Sequence, residues 1–132
     1  YALLELFIEL DVPDTDLLAS LYEIRSNGQT IYLGQSELRA RHRNGVDRSE
    51  LVTPGRVERY PFDRFYWFSR ELEAGSRIRV VLAPFNTPHR DKNYNSGGNT
   101  IEETGADART ATIRIHHGPE YPSGLILPVG GG

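Results

Sequence analysis

Apolar residues recur at every second position along this chain in short runs, and turn signals cut the runs at intervals of roughly ten residues, the spacing of strands in a sandwich. Leu4, Leu6, Ile8 and Leu10 alternate with Glu5 and Glu9. Ile78, Val80 and Leu82 alternate with Arg77 and Arg79, and Ala111, Ile113 and Ile115 alternate with Thr112 and Arg114. Successive side chains leave an extended backbone on opposite faces, so this pattern belongs to strands with one buried face. No 3.6-residue period is sustained, which argues against a helical fold. The punctuation is chemical: Pro13-Asp-Thr-Asp16 and Asn27-Gly28 suit tight turns, and Ala74-Gly75 turns into the 77–82 run. Pro84 ends that run by removing a backbone donor.

The remaining segments fit the same scheme. Leu17 to Ile24 is apolar on both parities and reads as a central strand, with a helix as the competing assignment. A short strand is expected at Thr30 to Leu33. Ser36 to Arg43 suits either a strand, with Arg39, Arg41 and Arg43 on one face, or a single helical turn. Val57 to Phe62 is a strand whose Pro61 suggests an edge or a bulge. Phe65-Tyr-Trp-Phe68 opens another, and Leu125 to Val129 closes the chain. The tally of about eight short strands predicts an all-β fold, an antiparallel β-sandwich. The segments 44–56 and 86–108 are long enough to pass between its sheets. Residues 1–129 are expected to form one domain, followed by a flexible glycine tail at 130–132.

Composition narrows the function. With 38% hydrophobic and 25% charged residues the chain has the make-up of one soluble domain. The absence of cysteine removes disulfides, zinc–thiolate centres and thiol nucleophiles together, and fits a reducing compartment such as the cytoplasm. Methionine is absent too and the chain opens on Tyr1, so it is read as part of a longer polypeptide. A net charge of −3 gives no general pull towards nucleic acid. No apolar run approaches the ~18 residues of a membrane-spanning helix.

Candidate chemistry is sparse. The nearest approach to a Gly-x-Ser-x-Gly nucleophile elbow, Gly34-Gln-Ser36-Glu-Leu38, lacks the second glycine, and no catalytic residue is assigned. His116 and His117 end a strand and point to opposite faces, so they suit hydrogen bonds better than one shared metal; Glu120 is a nearby partner. The long polar loop 86–99 carries Asp91, Asn93 and Asn95 at alternate positions with Glu102 beyond. That spacing partly matches a calcium loop, but Asx side chains also brace loops without any metal, and Asp91 is expected to be the brace. The arginine row 39, 41, 43 could meet phosphates; the acids Glu37, Asp47 and Glu50 favour an ion-paired face instead. Tyr60, Phe62, Phe65, Tyr66, Trp67 and Phe68 could stack a ligand, though such clusters more often form a core or an interface. No cofactor is implied.

Several of these segments, in this order, resemble one family. The run Gly75-Ser-Arg-Ile-Arg-Val-Val-Leu82, then Pro88-His-Arg-Asp-Lys-Asn-Tyr-Asn-Ser-Gly97, is similar to the C-terminal domain of the X-prolyl dipeptidyl-peptidase/cocaine esterase family. So are Ala108-Arg-Thr-Ala-Thr112 and His116-His-Gly-Pro-Glu-Tyr-Pro-Ser-Gly-Leu-Ile-Leu-Pro128, with Pro13-Asp-Thr-Asp16 and Leu38-Arg-Ala-Arg-His-Arg43 earlier. The resemblance implies a jelly-roll, galactose-binding-domain-like sandwich without catalytic residues of its own. It implies a partner, a catalytic α/β-hydrolase domain in the same polypeptide that carries the serine, acid and histidine. The loop residues Arg90, Asp91, Asn93 and Asn95, with His116 and His117, would face that domain or an interface, and homo-oligomer contacts belong to the same expectation. Tyr66, Trp67 and Phe68 would serve an interface or, in the alternative of a free-standing carbohydrate- or ligand-binding sandwich, a binding site. An upstream strand of the family's jelly roll is expected to be missing, and the aromatics around Trp67 are denser than the resemblance leads one to expect.

Overall fold

The computed structural model describes residues 1–85 and 87–130; Asn86 and the last two residues of the glycine tail lie outside the described residues. Among the described residues seven strands form two antiparallel sheets: β1 (Leu3–Leu10), β2 (Asp16–Ile24), β3 (Thr30–Arg39), β4 (Val57–Phe62), β5 (Arg77–Pro84), β6 (Ile113–His116) and β7 (Gly124–Ile126). One sheet has the order β4-β1-β6, with β7 also on β1; the other has the order β3-β2-β5. The segments between β3 and β4 and between β5 and β6 therefore both pass from sheet to sheet.

The core comes from the predicted alternation. Leu4, Leu6, Ile8 and Leu10 of β1 face Leu17, Ala19 and Leu21 of β2, and Tyr60 and Phe62 of β4 complete the layer. In antiparallel pairs directly opposed residues share a face. The registers Leu6↔Tyr60 and Leu4↔Phe62 on one sheet, and Leu21↔Val80 and Ala19↔Leu82 on the other, therefore fix which residues look inward. Pro61 does sit on an edge strand, as its missing donor requires.

β6 and β7 lie end to end along the same side of β1, β6 against Phe7–Leu10 and β7 against Leu3–Glu5. Between them the chain leaves the sheet at residues 117–123, turning at Gly118 (φ 102°). Ser123 closes the seam: its Oγ accepts from the Phe7 N–H at 2.9 Å and donates to the His116 carbonyl at 2.6 Å. The excursion folds back through Tyr121, whose ring packs on Phe7 and His116.

Four expectations change. The strand at 30–33 runs on to Arg39, through a bulge that places Leu33 between the pairs Leu21↔Gly34 and Tyr22↔Tyr32. Ser36 to Arg43 is both of the weighed forms in succession, strand to Arg39 and then a 3-10 turn at Ala40–His42. Residues 65–68 form no strand: Phe65 is buried and Phe68 and Leu72 pack inward, a spacing no pleated strand can supply, while Tyr66 and Trp67 point out. The fourth concerns β5. Val80 lies opposite the buried Leu21 and has the inward parity expected of it, yet it is 39% exposed.

The far end of β2 carries a buried carboxylate. Glu23 follows Leu17, Ala19 and Leu21 on the inward face; its Oε1 accepts from the Glu73 N–H at 3.0 Å and the Ser76 hydroxyl at 2.8 Å. Arg25 and Arg70 approach the other oxygen at 3.7 and 3.4 Å. The Glu73 amide above all, then the Ser76 hydroxyl, holds this carboxyl below its ordinary pKa. One side chain thus fastens the β4–β5 connection to the second sheet.

Candidate functional site

The turn between β1 and β2 and the arginine row after β3 meet at one end of the sandwich. Arg39 forms a two-pronged pair with Asp16, Nε to Oδ1 at 2.8 Å and Nη2 to Oδ2 at 2.9 Å. This fork is the arrangement in which a planar guanidinium matches a carboxylate best, and it holds the Arg39 pKa above its ordinary value. Asp14 is fully buried and accepts from the Arg41 N–H at 2.9 Å and from Arg41 Nε at 2.7 Å. Arg43, also buried, donates to the carbonyls of Ala40 and Glu50 and to Glu58 Oε1 at 3.1 Å. The row is an ion-paired face, as the nearby acids suggest. Its main partners are different acids, however: Asp14, Asp16 and Glu58 are remote in sequence and reach the row only through the fold, with Glu50 a distant second to Arg43 at 3.9 Å.

The loop beyond β5 is fastened to this network. Asn93 donates through Nδ2 to Asp14 Oδ2 at 2.8 Å and to Asp16 Oδ1 at 3.0 Å, while its Oδ1 accepts from the Asn95 N–H at 2.9 Å. Asn95, at φ 66°, is in the left-handed region that asparagine tolerates, and its Nδ2 donates to the Arg109 carbonyl at 2.8 Å. Gly97 (φ 82°) lies against Pro13, where an added Cβ would sit 2.9 Å from the proline Cγ. Glycine is required there for close approach as well as for backbone angle. The Gly98 carbonyl accepts from Arg41 Nη2 at 2.8 Å, and the Ser96 hydroxyl bonds Glu103.

The brace is therefore Asn93 rather than Asp91. Asp91 contributes only its carbonyl, to Arg39 Nη2 at 3.4 Å, and its exposed carboxylate has no hydrogen-bond partner among the described residues. Glu102 is likewise exposed, and Asn93 and Asn95 direct their amides to protein groups.

Beside the loop, an open cleft of about 990 Å³ runs along the end of β3, lined by Glu37, Arg39, Arg64, Tyr66, Phe85, Arg90 and Asp91 among others. Arg90 pairs with Glu37 and lies over the Phe85 ring at 5.5 Å. The cleft thus unites three of the expected loop and aromatic residues, Arg90, Asp91 and Tyr66; Asn93 lies outside its lining and bonds Asp16, which is part of it. Trp67, next to Tyr66, is 90% exposed, and Tyr66 is 79% exposed. Phe68 turns inward and lies near Gly34. His116 belongs to the other sheet, where Nε2 bonds Glu9 Oε2 at 3.1 Å; the partner is Glu9 across the strand pair, not Glu120. His117 is exposed beside it. Sequence reasoning placed Asp14 and Asp16 in a turn but did not foresee Asp14 as the buried hub. Two acids flanking a threonine after a proline were the available signal.

Known proteins share this fold over nearly its whole length. An aminopeptidase from a marine sediment Thaumarchaeota archaeon superposes with a TM-score of 0.83 at 21% identity, covering 94% of this chain and 22% of that one. An α-amino acid ester hydrolase gives a TM-score of 0.83 at 19% identity with the same two coverages, 94% and 22%. At these identities the likeness is one of fold. Cocaine esterase from Rhodococcus sp. (strain MB1 Bresler) is 33% identical over 124 residues, which are 94% of this chain and 21% of the esterase. The chain accordingly spans only 21% or 22% of the length of each of these relatives. The family described as the X-Pro dipeptidyl-peptidase C-terminal non-catalytic domain matches residues 1–126, and the chain belongs to it.

Proposed function

We propose that this domain docks on a catalytic α/β-hydrolase domain of the same, longer polypeptide and walls one side of its active-site cleft, the whole being a serine hydrolase of X-Pro peptides, esters or related acyl compounds. The observation that carries this reading is the outward display of Tyr66 and Trp67, 79% and 90% exposed, on a segment anchored by Phe65 and Phe68. Large aromatics held out from a packed base are the usual anchors of protein contacts. The cleft and the Asn93-braced loop beside them form a surface already set in shape, so a partner meeting it would lose little in ordering side chains.

The two serines weighed for a catalytic role, Ser36 and Ser123, are engaged elsewhere. Ser36 is buried and its Oγ accepts from the Arg64 N–H at 3.2 Å, while Ser123 bonds the His116 carbonyl and not its ring. A serine nucleophile needs a base within hydrogen-bond reach of its Oγ. Relatives named as an esterase, an aminopeptidase and an ester hydrolase support the hydrolase assignment of the longer protein.

The test is Trp67→Ala together with Tyr66→Ala in the full-length protein. The pair should weaken domain docking by about 2 kcal/mol or more, the scale of an aromatic hot spot. That loss would be read as a separate melting transition and reduced kcat/KM on an X-Pro anilide or ester. Unchanged melting and unchanged kinetics would overturn the proposal. The exposure of Trp67 also favours a second reading, a free-standing sandwich that stacks a sugar or another ligand on this ring. Trp67 is the one tryptophan of the chain, so its fluorescence during an oligosaccharide titration reports on that reading directly.

A further inference from the structure

The acidic side chains and arginines lining the cleft beside β3 are Asp16, Glu37, Arg39, Arg64, Arg90 and Asp91. Four of them pair with each other. Arg39 is committed to Asp16 through both prongs of its guanidinium, and Arg90 to Glu37. One charge of each sign remains, since neither Arg64 nor the Asp91 carboxylate forms an ion pair among the described residues. Both sit on anchored backbone. The Arg64 N–H donates to the Ser36 hydroxyl at 3.2 Å and the next residue, Phe65, is buried. The Asp91 carbonyl accepts from Arg39 Nη2 at 3.4 Å. Val46, Phe85 and Pro88 line the same cleft, and Val46 is left 62% exposed there. Apolar walls with a few fixed polar groups are the usual make-up of a small-molecule site, and a cleft of about 990 Å³ is roomy enough to be one.

We infer that this cleft binds a small zwitterion, an amino acid or short peptide whose carboxylate meets Arg64 and whose ammonium meets Asp91, with its apolar body against Val46, Phe85 and Pro88. Neither ring of the docking proposal is needed for this assignment, which stands apart from it. The two unpaired charges define the ligand. A guanidinium presents a planar fork, the group best matched to a carboxylate. A simple anion would meet Arg64 but bring its charge up against Asp91, and a simple cation would do the same to Arg64. Such like-charge contacts select against the wrong ligand as strongly as a good contact selects the right one. An uncharged ligand such as a sugar would take water from both groups and return no counter-charge. Only a ligand carrying both signs complements the pair. Because the backbone on each wall is already held, little ordering is left for the ligand to impose.

Isothermal titration of the full-length protein with the dipeptide alanyl-phenylalanine, its N-acetyl form and its C-terminal amide tests this. A serine-directed phosphonate is added first, so that a hydrolytic site can neither consume nor hold the probes. The free dipeptide should bind, and blocking either end should weaken it about tenfold, the scale of one charge-assisted hydrogen bond. Arg64→Gln should abolish the preference for the free acid over the amide while keeping the preference for the free amine. Asp91→Asn should do the reverse. Both side chains are exposed, so neither substitution threatens the fold. A native protein that binds none of the three, or does not tell them apart, would overturn the inference. Preferences that survive both substitutions would put the dipeptide elsewhere and overturn it too, as would equal weakening of all three ligands in a variant. If any of these results came with a single melting transition that Tyr66→Ala and Trp67→Ala together split in two, the docking proposal would stand while the zwitterion site fell. Without that splitting both would fall.

Discussion

Asp14 gathers three donors from two separate parts of the chain, Arg41 twice and Asn93 once, at a position from which water is excluded. Removing a carboxylate from such a site strands a guanidinium and an amide. Asp14→Ala should therefore cost about 3–5 kcal/mol, the scale for breaking one side of a buried pair. Asp91→Ala, which removes an exposed carboxylate, should stay within about 0.5 kcal/mol. Urea denaturation of the two variants would show whether the contrast holds. The sequence carried the kind of answer here and not its address. Alternating Asx residues before two glycines marked a braced loop, but Asn93 is distinguished from Asp91 only by which side chain reaches Asp14 and Asp16. That distance is made by the sheets and is invisible to local spacing.

At the scale of elements, alternation predicted β1, β5 and β6, whereas β2 was legible as a central strand from apolar residues on both parities. It misplaced the 65–68 segment because inward packing at Phe65, Phe68 and Leu72 follows the path of a connection, which has no period. It also gave Val80 the right face but could not say what lay above it. In the 132-residue chain, Leu21→Asp should unfold the domain, since an unpaired buried carboxylate costs several kcal/mol. Val80→Asp, its neighbour across the pair, should cost about 1 kcal/mol or less; thermal melts of both would decide. Glu23 gives the β4–β5 connection a pH dependence. Its folded pKa lies below the ordinary 4.5, so the stability it contributes is complete above that value and is lost as pH falls through the depressed one. Stability measured from about pH 6 to about pH 3 should fall less steeply for Glu23→Gln than for the native chain; equal slopes would remove Glu23 from the account.

For the molecule as a whole, absent motifs and present ones pointed the same way. The chain belongs to a family described as a non-catalytic domain, and among the described residues no serine hydroxyl is hydrogen-bonded to a histidine ring. The purified chain is expected to leave a chromogenic ester and an X-Pro anilide at the buffer rate. Turnover abolished by Ser36→Ala or Ser123→Ala would contradict that. What the sequence left open was the closure of the sandwich, because pairing partners for β5 and β6 are a matter of what else is nearby. A strand's own residues report its faces and say little about its neighbours.

The seam at Ser123 has a consequence for how this architecture can vary. A hairpin normally sets the alignment of its two strands through the length of its turn, so adding a residue shifts every pair beyond it. Here both β6 and β7 take their alignment from β1, and one hydroxyl stitches the place where the ladder is interrupted. The stretch from His117 to Pro122 is thereby relieved of any metrical duty. It can lengthen, shorten or receive a foreign peptide near Gly118 while the strands on either side keep their alignment, provided the serine remains to hold the cut ends together.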